Sequence, residues 1–564
     1  MKPIGRSWRQ VRSLLPGRAD LAAIRRQPRR DLLAGLTVAV VALPLALGFG
    51  VASGMGAEAG LATAIVAGAV AAVFGGSNLQ VSGPTGAMTV VLVPITAQYG
   101  ATGVLTVGLL AGLLLVALAF ARAGRYMRYV PAPVVEGFTF GIACVIGLQQ
   151  IPNALGVPKP EADQILLATW HAMRGFVGAP NWAPAGITVG VAAVMLLGAR
   201  WKPAIPFSIL AVIAATIVTE ALELDAQTIG ALPAGLPAPS LGFLDPDTLT
   251  ALLAPALAVA TLAALESLLS ASVADGMTVE QRHDPDRELF GQGLANIAAP
   301  LFGGVPATGA IARTAVNVRS GASSRLAALT HAAILALIVL AAAPLVSRVP
   351  LAALAGVLIA TAIRMVEVGS LKAMARATRS DAVVLVLTAA ATVALDLVYA
   401  VIIGLIVAGT LALRAVAKDA RLDQVDVTPD LPDAHGEAEH KLLTEHIVAY
   451  RIDGPLFFAA AHRFLLELAD VADVSVVILR MSRVTTIDAS GALILKDAIE
   501  KLEGRGITVY VSGIRDGHHR PLQALGVLTR LDNAGRVLPT TPDAIKAARD
   551  MLQTNGAIPT QLQP

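Results

Sequence analysis

Two isolated charges inside apolar segments are the residues whose chemistry is easiest to define. Glu266 lies in the segment LAALESLLSASV, and Arg313 lies in AIARTAVNV. A charged side chain at the centre of a membrane costs at least ~2.5 kcal/mol on insertion scales, so it usually faces a functional cavity. The alternative is a structural role, in which Glu266 bonds to backbone groups or pairs with Arg313. We interpret both residues as candidates for ion binding.

Two clusters of glycine and proline indicate non-helical backbone between apolar runs. The first reads FGGSNLQVSGPTGAM (74–88), the second reads FGGVPATGAI (302–311), and both contain FGG and Thr-Gly-Ala. Lipid cannot hydrogen-bond free peptide groups, so such segments must be buried in protein or line a polar cavity. A helix that begins there directs free N–H groups and its positive dipole end into the gap, which favours an anion. The alternative is that the glycines only permit close helix packing.

The elements that position these residues are predicted to be membrane spans. The chain has 564 residues, of which 55% are hydrophobic and 15% are charged, whereas soluble proteins carry about 25% charge. Runs with the length and composition of membrane-spanning or buried helices cover 32–50, 59–75, 101–121, 134–151, 185–199, 205–219, 248–274, 326–346, 349–363 and 382–413. They continue past residue 400, which excludes a signal peptide followed by a soluble body.

Charge, cysteine content and motifs exclude several other classes of protein. The net charge is only +3, so no global basic field indicates nucleic acid. The single cysteine, Cys144, excludes an intrachain disulfide and a cysteine-based zinc site. No GxxxxGK[ST] segment occurs, which disfavours an ATP-driven pump. We predict no metal site and no cofactor.

The chain is predicted to have four parts. Residues 1–30 hold nine basic residues and one acid, so this segment is expected to stay in the cytoplasm beside the first span. Residues 31–417 form the membrane domain, and the charged, proline-containing residues 418–437 read as a linker. Residues 438–564 form a small cytoplasmic α/β domain that is expected to fold alone. The run from Glu280 to Glu288 reads as a solvated loop.

Strand and helix patterns alternate in the C-terminal part. Buried strands are predicted at 445–452, 474–481 and 507–513. Helices are predicted at 461–470 and 490–504 and near 520–531 and 541–552. This alternation predicts one sheet with helices packed on it. Asp488 or Ser490 is expected to cap the helix that follows.

The chain resembles the SulP sulfate-permease family of anion transporters across nearly its full length. The matching segments are AGLTVAVVALPLALGFGVASG (34–54), FGGSNLQVSGPTGAMTVVL (74–92), PAPVVEGFTFG (131–141), ESLLSASVADGMT (266–278), GQGLANIAAPLFGGVPATGAIARTAVNVRSGA (291–322) and LAGVLIATAIRMV (354–366). VVILRMSRVTTIDASGALIL (476–495) is similar to that family's STAS domain. The resemblance implies about fourteen spans as two inverted repeats of seven, a uracil-permease-like fold with core and gate subdomains, and a homodimer.

The resemblance also implies where the anion binds. The family holds it between half-helices of spans three and ten, and an aromatic residue of the first span, here Phe49, lines the pocket. The half-helix residues that match are Thr85, Gly86, Ala87, Gly309, Ala310, Ile311, Ala312 and Arg313. In span eight, Glu266 and Ser270 match coupling-ion ligands of sodium-dependent bicarbonate carriers. Those carriers have aspartate in place of Glu266 and a hydroxyl residue near Ile311, so this chain departs from a sodium site, and proton coupling is favoured.

The leading functional hypothesis is a secondary active anion transporter of the cell membrane rather than an enzyme. Sulfate, bicarbonate and a C4-dicarboxylate such as fumarate or succinate remain open as substrates. An uncoupled anion channel, a sodium-coupled bicarbonate carrier and a membrane sensor with the STAS domain as output are the alternatives. In related anti-sigma-antagonist domains a phosphorylated Ser or Thr follows the aspartate directly, whereas Ala489 follows Asp488 here, which does not support a phosphoswitch.

Overall fold

The computed structural model describes residues 12–160, 165–202, 205–233, 235–278, 281–395, 397–419, 421–425, 443–458 and 474–558. It divides into two compact units, Met1–Ala408 and Gly409–Pro564. The first is almost wholly helical, and the second combines a sheet with helices.

The first half of the membrane unit is a series of apolar helices preceded by a short basic one. Its helices are α1 (Arg18–Arg26), α2 (Pro28–Ala52), α3 (Ala57–Phe74), α4 (Gly86–Phe120), α5 (Ala132–Gln149), α6 (Ile151–Leu155), α7 (Ile165–Gly178), α8 (Trp182–Trp201) and α9 (Phe207–Ala221), with a 3-10 helix at Ala123–Tyr129. Gly100 has φ 66° and ψ −167°, which is not helical. It divides α4 into two helical parts, since glycine has no Cβ to oppose this conformation.

The second half repeats this organisation. Its helices are α10 (Leu249–Gly276), α11 (Pro285–Leu301), α12 (Ile311–Arg319), α13 (Leu326–Val346), α14 (Leu351–Met365), α15 (Val368–Ala377), α16 (Arg379–Ala394) and α17 (Leu397–Asp419). The predicted run 382–413 is therefore two helices, because the backbone at Leu395 is extended and ends α16.

The helices account for the predicted number of spans. Nine helices in the described residues are long and apolar enough to cross a membrane. When α4 is counted as two parts, α2 to α5 with α8 and α9 supply seven segments, and α10 to α14 with α16 and α17 supply seven more. The first part of α4 and α12 are each third in their half. The prediction of a mostly α membrane protein with about fourteen spans is confirmed.

Small residues determine how these helices pack. In lipid, helices associate through close contact rather than through exclusion of water, so glycine and alanine collect at interfaces. Gly112 of α4 shows this, because a Cβ added there would lie 2.7 Å from the carbonyl oxygen of Gly293 in α11. Helix α11 therefore packs against both α3 and α4. The segment that connects α3 to α4, residues 75–85, is mostly buried.

Two very short strands pair with each other in this interior. Strand β1 (Ser82–Gly83) pairs antiparallel with β2 (Thr308–Gly309), with Ser82 opposite Gly309 and Gly83 opposite Thr308. All four residues are buried. Helix α4 begins three residues after β1, and α12 begins two residues after β2. Both predicted non-helical clusters thus interrupt helices, and they meet at one place.

The second unit is one sheet covered on both faces. Its strands are β3 (Arg421–Val425), β4 (Ile447–Leu456), β5 (Val476–Arg480), β6 (Val484–Ile487), β7 (Thr508–Ser512) and β8 (Val537–Leu538). Their order is β3-β4-β5-β7-β8, with β6 on the end of β4, and only β3 is antiparallel to its neighbour. Side chains alternate between faces along a strand. Val477 and Leu479 accordingly belong to one buried cluster, and Val476 and Ile478 belong to another.

Helices in the described part of this unit refine the predicted elements. They are α18 (Ala489–Gly504), α19 (Asp516–Ala524), α20 (Val527–Asn533) and α21 (Thr541–Thr554). The helix predicted near 520–531 is two helices, because Gly526 is left-handed with φ 74°. Asp488 caps α18 by accepting a hydrogen bond from the Gly491 amide at 2.7 Å. Strand β3 lies within the predicted linker 418–437, so residues 421–425 belong to the sheet; the helix predicted at 461–470 lies outside the described residues.

Candidate functional site

The start of α4 forms one wall of the site. Thr85 is the N-cap of α4 in an extended conformation, and its hydroxyl oxygen accepts a hydrogen bond from the Met88 amide at 3.4 Å. A Cβ added at Gly86 would lie 3.2 Å from Cε1 of Phe49 and 2.9 Å from Cγ1 of Ile146. The Phe49 ring therefore lies against the first turn of α4, and only glycine at position 86 allows this approach. Ala87, the next residue, is buried.

The start of α12 forms the facing wall, and unlike the start of α4 it has no side-chain cap. Its N-cap is Ala310, which supplies no side-chain hydrogen bond. The first N–H groups of a helix have no partner within it, so those of Ile311, Ala312 and Arg313 are available. Ala312 is exposed and Ile311 is part exposed, so this first turn is open. The amide of Gly309, by contrast, donates to Oγ of Ser267 at 2.9 Å.

Glu266 of α10 lies where both walls meet. Its Oε2 atom accepts one hydrogen bond from the Thr85 hydroxyl and another from the Thr308 hydroxyl, both at 2.8 Å. The two hydroxyl oxygens are 3.2 Å apart. Glu266 is part exposed although it belongs to an apolar helix. One carboxylate oxygen thus joins α10, the start of α4 and strand β2.

Arg313 is on α12, and its guanidinium bonds to a backbone carbonyl rather than to Glu266. It is 1% exposed, and its Nη2 donates to the carbonyl oxygen of Pro84 at 2.5 Å. Its Nη1 is buried without a hydrogen-bond partner. In the part of the chain that the structure describes, no ion pair joins Arg313 to Glu266, although the guanidinium is near enough to attract that carboxylate electrostatically.

Ser270, predicted as a coupling-ion ligand with Glu266, has a different partner. Its hydroxyl donates to Oγ1 of Thr314 at 3.0 Å, and that atom also accepts from the Val81 amide at 3.1 Å. Ser270 therefore supports the segment before β1 and makes no hydrogen bond to Glu266. The described residues contain no group of three His, Cys, Asp or Glu side chains that could hold a metal ion.

The arrangement suits a small anion beside a proton acceptor. Two helix starts direct their positive dipole ends at one gap, and Arg313 adds a buried positive charge. The structure brings Phe49, Gly86 and Thr85 together at the start of α4, and Glu266 joins Thr85 to Thr308 of β2. Ile311 and Ala312 begin α12 two residues after β2.

Sequence reasoning missed two participants. Thr308 was visible only as the counterpart of Thr85 in the repeated Thr-Gly-Ala, and nothing in the sequence distinguished Ser267 from other small polar residues.

Comparison with known proteins identifies the family of this chain. The model of the sulfate permease family matches residues 29–388, and that of the STAS domain matches residues 441–544. A putative sulfate transporter, YvdB of Bacillus subtilis, is 34% identical over 516 residues, which cover 89% of this chain and 94% of that protein. The bicarbonate transporter BicA of Synechocystis is 32% identical over 519 residues, which cover 88% of this chain and 90% of that protein.

Solved structures show the same fold. The transmembrane domain of a cyanobacterial bicarbonate transporter BicA superposes with a TM-score of 0.60 at 33% identity, covering 68% of this chain and 98% of that one. The murine anion transporter Slc26a9 in its inward-facing state gives a TM-score of 0.84 at 17% identity, covering 96% of this chain and 94% of that one. Both are transporters, and the match to the second concerns the fold alone.

Proposed function

Because this chain belongs to the sulfate permease family of anion transporters, we propose that it is a secondary active carrier that moves a small anion by alternating access. The anion binds between the starts of α4 and α12. The observation that supports this most directly is the open first turn of α12, where Ala310 supplies no cap and Ala312 is exposed. Free N–H groups at a helix start bind anions, and their partner here is the substrate.

The substrate is an oxyanion or carboxylate of small size. Relatives named as sulfate and bicarbonate transporters favour those two anions, and a C4-dicarboxylate is the third candidate. Backbone N–H groups bind all three, so the walls beside Phe49 and Ile311 must discriminate by size. Uptake of labelled sulfate, bicarbonate, fumarate and succinate into proteoliposomes ranks them.

Glu266 couples transport to protons through the two threonine hydroxyls. A carboxylate is an acceptor only, so charged Glu266 holds the hydroxyl hydrogens of Thr85 and Thr308. A protonated carboxyl becomes a donor and leaves one of these hydroxyls free to donate to the anion. Protonation also removes the charge that repels the substrate. Anion and proton then favour each other's binding, which is the requirement for symport.

Sodium coupling is the alternative for this site, and two features count against it. Ser270 donates to Thr314, and Ile311 has no side-chain oxygen. A sodium site needs several oxygen ligands. Positions 270 and 311 do not supply an oxygen ligand next to Glu266. An uncoupled channel is the other alternative, and it would give currents far above carrier turnover.

The decisive experiment compares the wild type with Glu266→Gln in proteoliposomes. Gln keeps the shape of the protonated side chain, so anion binding and exchange between equal pools should persist while accumulation driven by an inward proton gradient is lost. Glu58→Gln is the matched control, because Glu58 is an exposed acid in the first turn of α3. Equal accumulation by Glu266→Gln and wild type would remove Glu266 from coupling. A wild type that follows sodium and ignores protons would overturn the proton mechanism.

We also propose a homodimer in the cell membrane with the N-terminus and the STAS domain in the cytoplasm. The six exposed arginines that precede and begin α2 support this orientation, because basic residues beside a first span stay inside. They are Arg12, Arg18, Arg25, Arg26, Arg29 and Arg30. Protease digestion of oriented vesicles tests the sidedness.

A further inference from the structure

Helix α11 carries a column of buried polar side chains that the transport mechanism does not use directly. Glu288, Gln292 and Asn296 follow one another at intervals of four residues, so they lie on one face of the helix. Each is at most 1% exposed. The solvated loop predicted for Glu280 to Glu288 is therefore wrong at Glu288, because Asp284 caps α11 and this carboxylate enters the protein.

Each member of this polar column holds a different part of the two broken segments. Oε2 of Glu288 accepts from the amides of Gly76 at 2.8 Å and Ser77 at 3.0 Å. Nε2 of Gln292 donates to Oγ of Ser82 in β1 at 2.6 Å and to Oε1 of Glu288 at 2.9 Å. The column thus anchors the whole approach to β1.

Asn296 makes two hydrogen bonds to Ala307, the residue that precedes β2. Its Nδ2 donates to the carbonyl oxygen of Ala307 at 2.9 Å, and its Oδ1 accepts from the Ala307 amide at 2.8 Å. The side-chain amide of Asn296 thus makes the two hydrogen bonds to Ala307 that a neighbouring strand would make in a sheet. Thr308, the next residue, gives its hydroxyl to Glu266.

We propose that Gln292 and Asn296 are positioning residues that fix the separation of the two helix starts, and thereby the size of anion that the carrier selects. This inference rests on the proposed function. One helix holds β1 through Gln292 and, one turn further along, holds Ala307 just before β2 through Asn296. The starts of α4 and α12 follow these strands within two or three residues. A shift of either strand along α11 therefore changes the gap, although neither side chain touches the anion.

The test measures anion selectivity in proteoliposomes for Asn296→Ala and Gln292→Met. Asn296→Ala leaves both backbone groups of Ala307 without partners, and the half-saturating concentration should rise roughly tenfold. Gln292→Met keeps the side-chain volume and loses the amide donor to Ser82 and Glu288, so it tests the same idea if Asn296→Ala folds poorly. In both variants the ratio of inhibition constants for bicarbonate, sulfate and fumarate should change by about fivefold or more.

The matched control is Thr188→Ala, which removes a buried hydrogen bond to the carbonyl oxygen of Ala352 between α8 and α14. It should lower protein yield or thermal stability as much as the test variants while leaving the selectivity ratio unchanged. Asn296→Asp keeps the acceptor for Ala307 and should recover part of the affinity. Unchanged ratios in folded Asn296→Ala and Gln292→Met would overturn the positioning role. A wild type that moves none of these anions would instead contradict the proposed function.

Discussion

Helices α4 and α12 begin on opposite sides of one gap, yet their first turns are finished differently. Thr85 caps α4 with its own hydroxyl, whereas Ala310 leaves α12 without a side-chain cap. Thr308 matches Thr85 in the repeated Thr-Gly-Ala, but it lies in β2, two residues before the cap position of α12. The repeat is therefore displaced by two residues relative to the helix starts.

This displacement means that the two copies of the repeat have different tasks. Both threonine hydroxyls donate to Oε2 of Glu266 at 2.8 Å. The two halves of the membrane unit therefore share this hydrogen bond to Glu266. Only α12 keeps an open first turn, and only α12 carries an arginine there. We therefore propose that the start of α4 supports the site and that the start of α12 binds the anion.

Of the substitutions that test the difference between α4 and α12, removal of the Arg313 charge should have the largest effect. Arg313→Ala should raise the half-saturating concentration of the anion tenfold or more, because it removes a buried positive charge near the start of α12. Two charges ~8 Å apart interact by about 2 kcal/mol at an effective dielectric constant of about 20. Arg313→Lys should recover only part, since a point charge replaces a planar fork. Equilibrium binding of labelled substrate to the purified protein measures the effect.

Arg364→Ala is the control for this measurement. Arg364 is an exposed arginine in the last turn of α14, so its loss should leave affinity unchanged. If folded Arg313→Ala binds the anion as tightly as wild type, α12 has no electrostatic advantage over α4 and the proposed division of tasks fails.

Giving α12 the cap that α4 has should produce a smaller effect. In Ala310→Ser the new hydroxyl accepts from an N–H group of the first turn, which the anion must then displace. An N-cap is worth about 1 kcal/mol, so the half-saturating concentration should rise roughly fivefold. Ala310→Gly supplies no oxygen and serves as the control. Equal affinities for the serine and glycine variants would show that these N–H groups do not bind substrate.

Substitution of Thr85 and of Thr308 should give the smallest difference between the two halves. That difference should be in protein stability rather than in proton coupling. Thr85→Val and Thr308→Val each remove one hydroxyl from Glu266, so both should weaken proton-driven accumulation. Only Thr85→Val also removes a helix cap, which should lower the free energy of unfolding by about 1 kcal/mol more than Thr308→Val does. Thermal denaturation in detergent compares them. A Thr308→Val protein as unstable as Thr85→Val would contradict the assigned cap.

Much of the membrane architecture was predictable because lipid imposes simple rules. Long apolar runs located most helices, and the clusters around Gly86 and Gly309 located the crossing, since broken helices are rare in lipid without a function. The strands around Val477 and Val509 were predictable because buried parallel strands are continuous apolar runs. The division of 382–413 was not, because Leu395 and its neighbours look helical in sequence.

The side-chain partners within the site were beyond sequence reasoning. Nothing near Arg313 in the chain indicates that its guanidinium binds the carbonyl of Pro84, because that contact joins distant segments. Ser270 illustrates the same limit, since its spacing from Glu266 suits a shared ligand while its hydroxyl bonds to Thr314. The four-residue spacing of Glu288, Gln292 and Asn296, by contrast, is visible in the sequence and indicates one face of a helix.

The pairing of β1 with β2 also has a consequence for biosynthesis. The ribosome completes β1 long before it reaches β2, and at ~5–20 residues per second the interval is about ten to forty-five seconds. During that time the backbone groups of Ser82 and Gly83 have no strand partner, and an unpaired peptide group in hydrocarbon costs several kcal/mol. Until β2 is synthesised and pairs with β1, this segment of the nascent chain must therefore stay hydrated or remain bound to the insertion machinery.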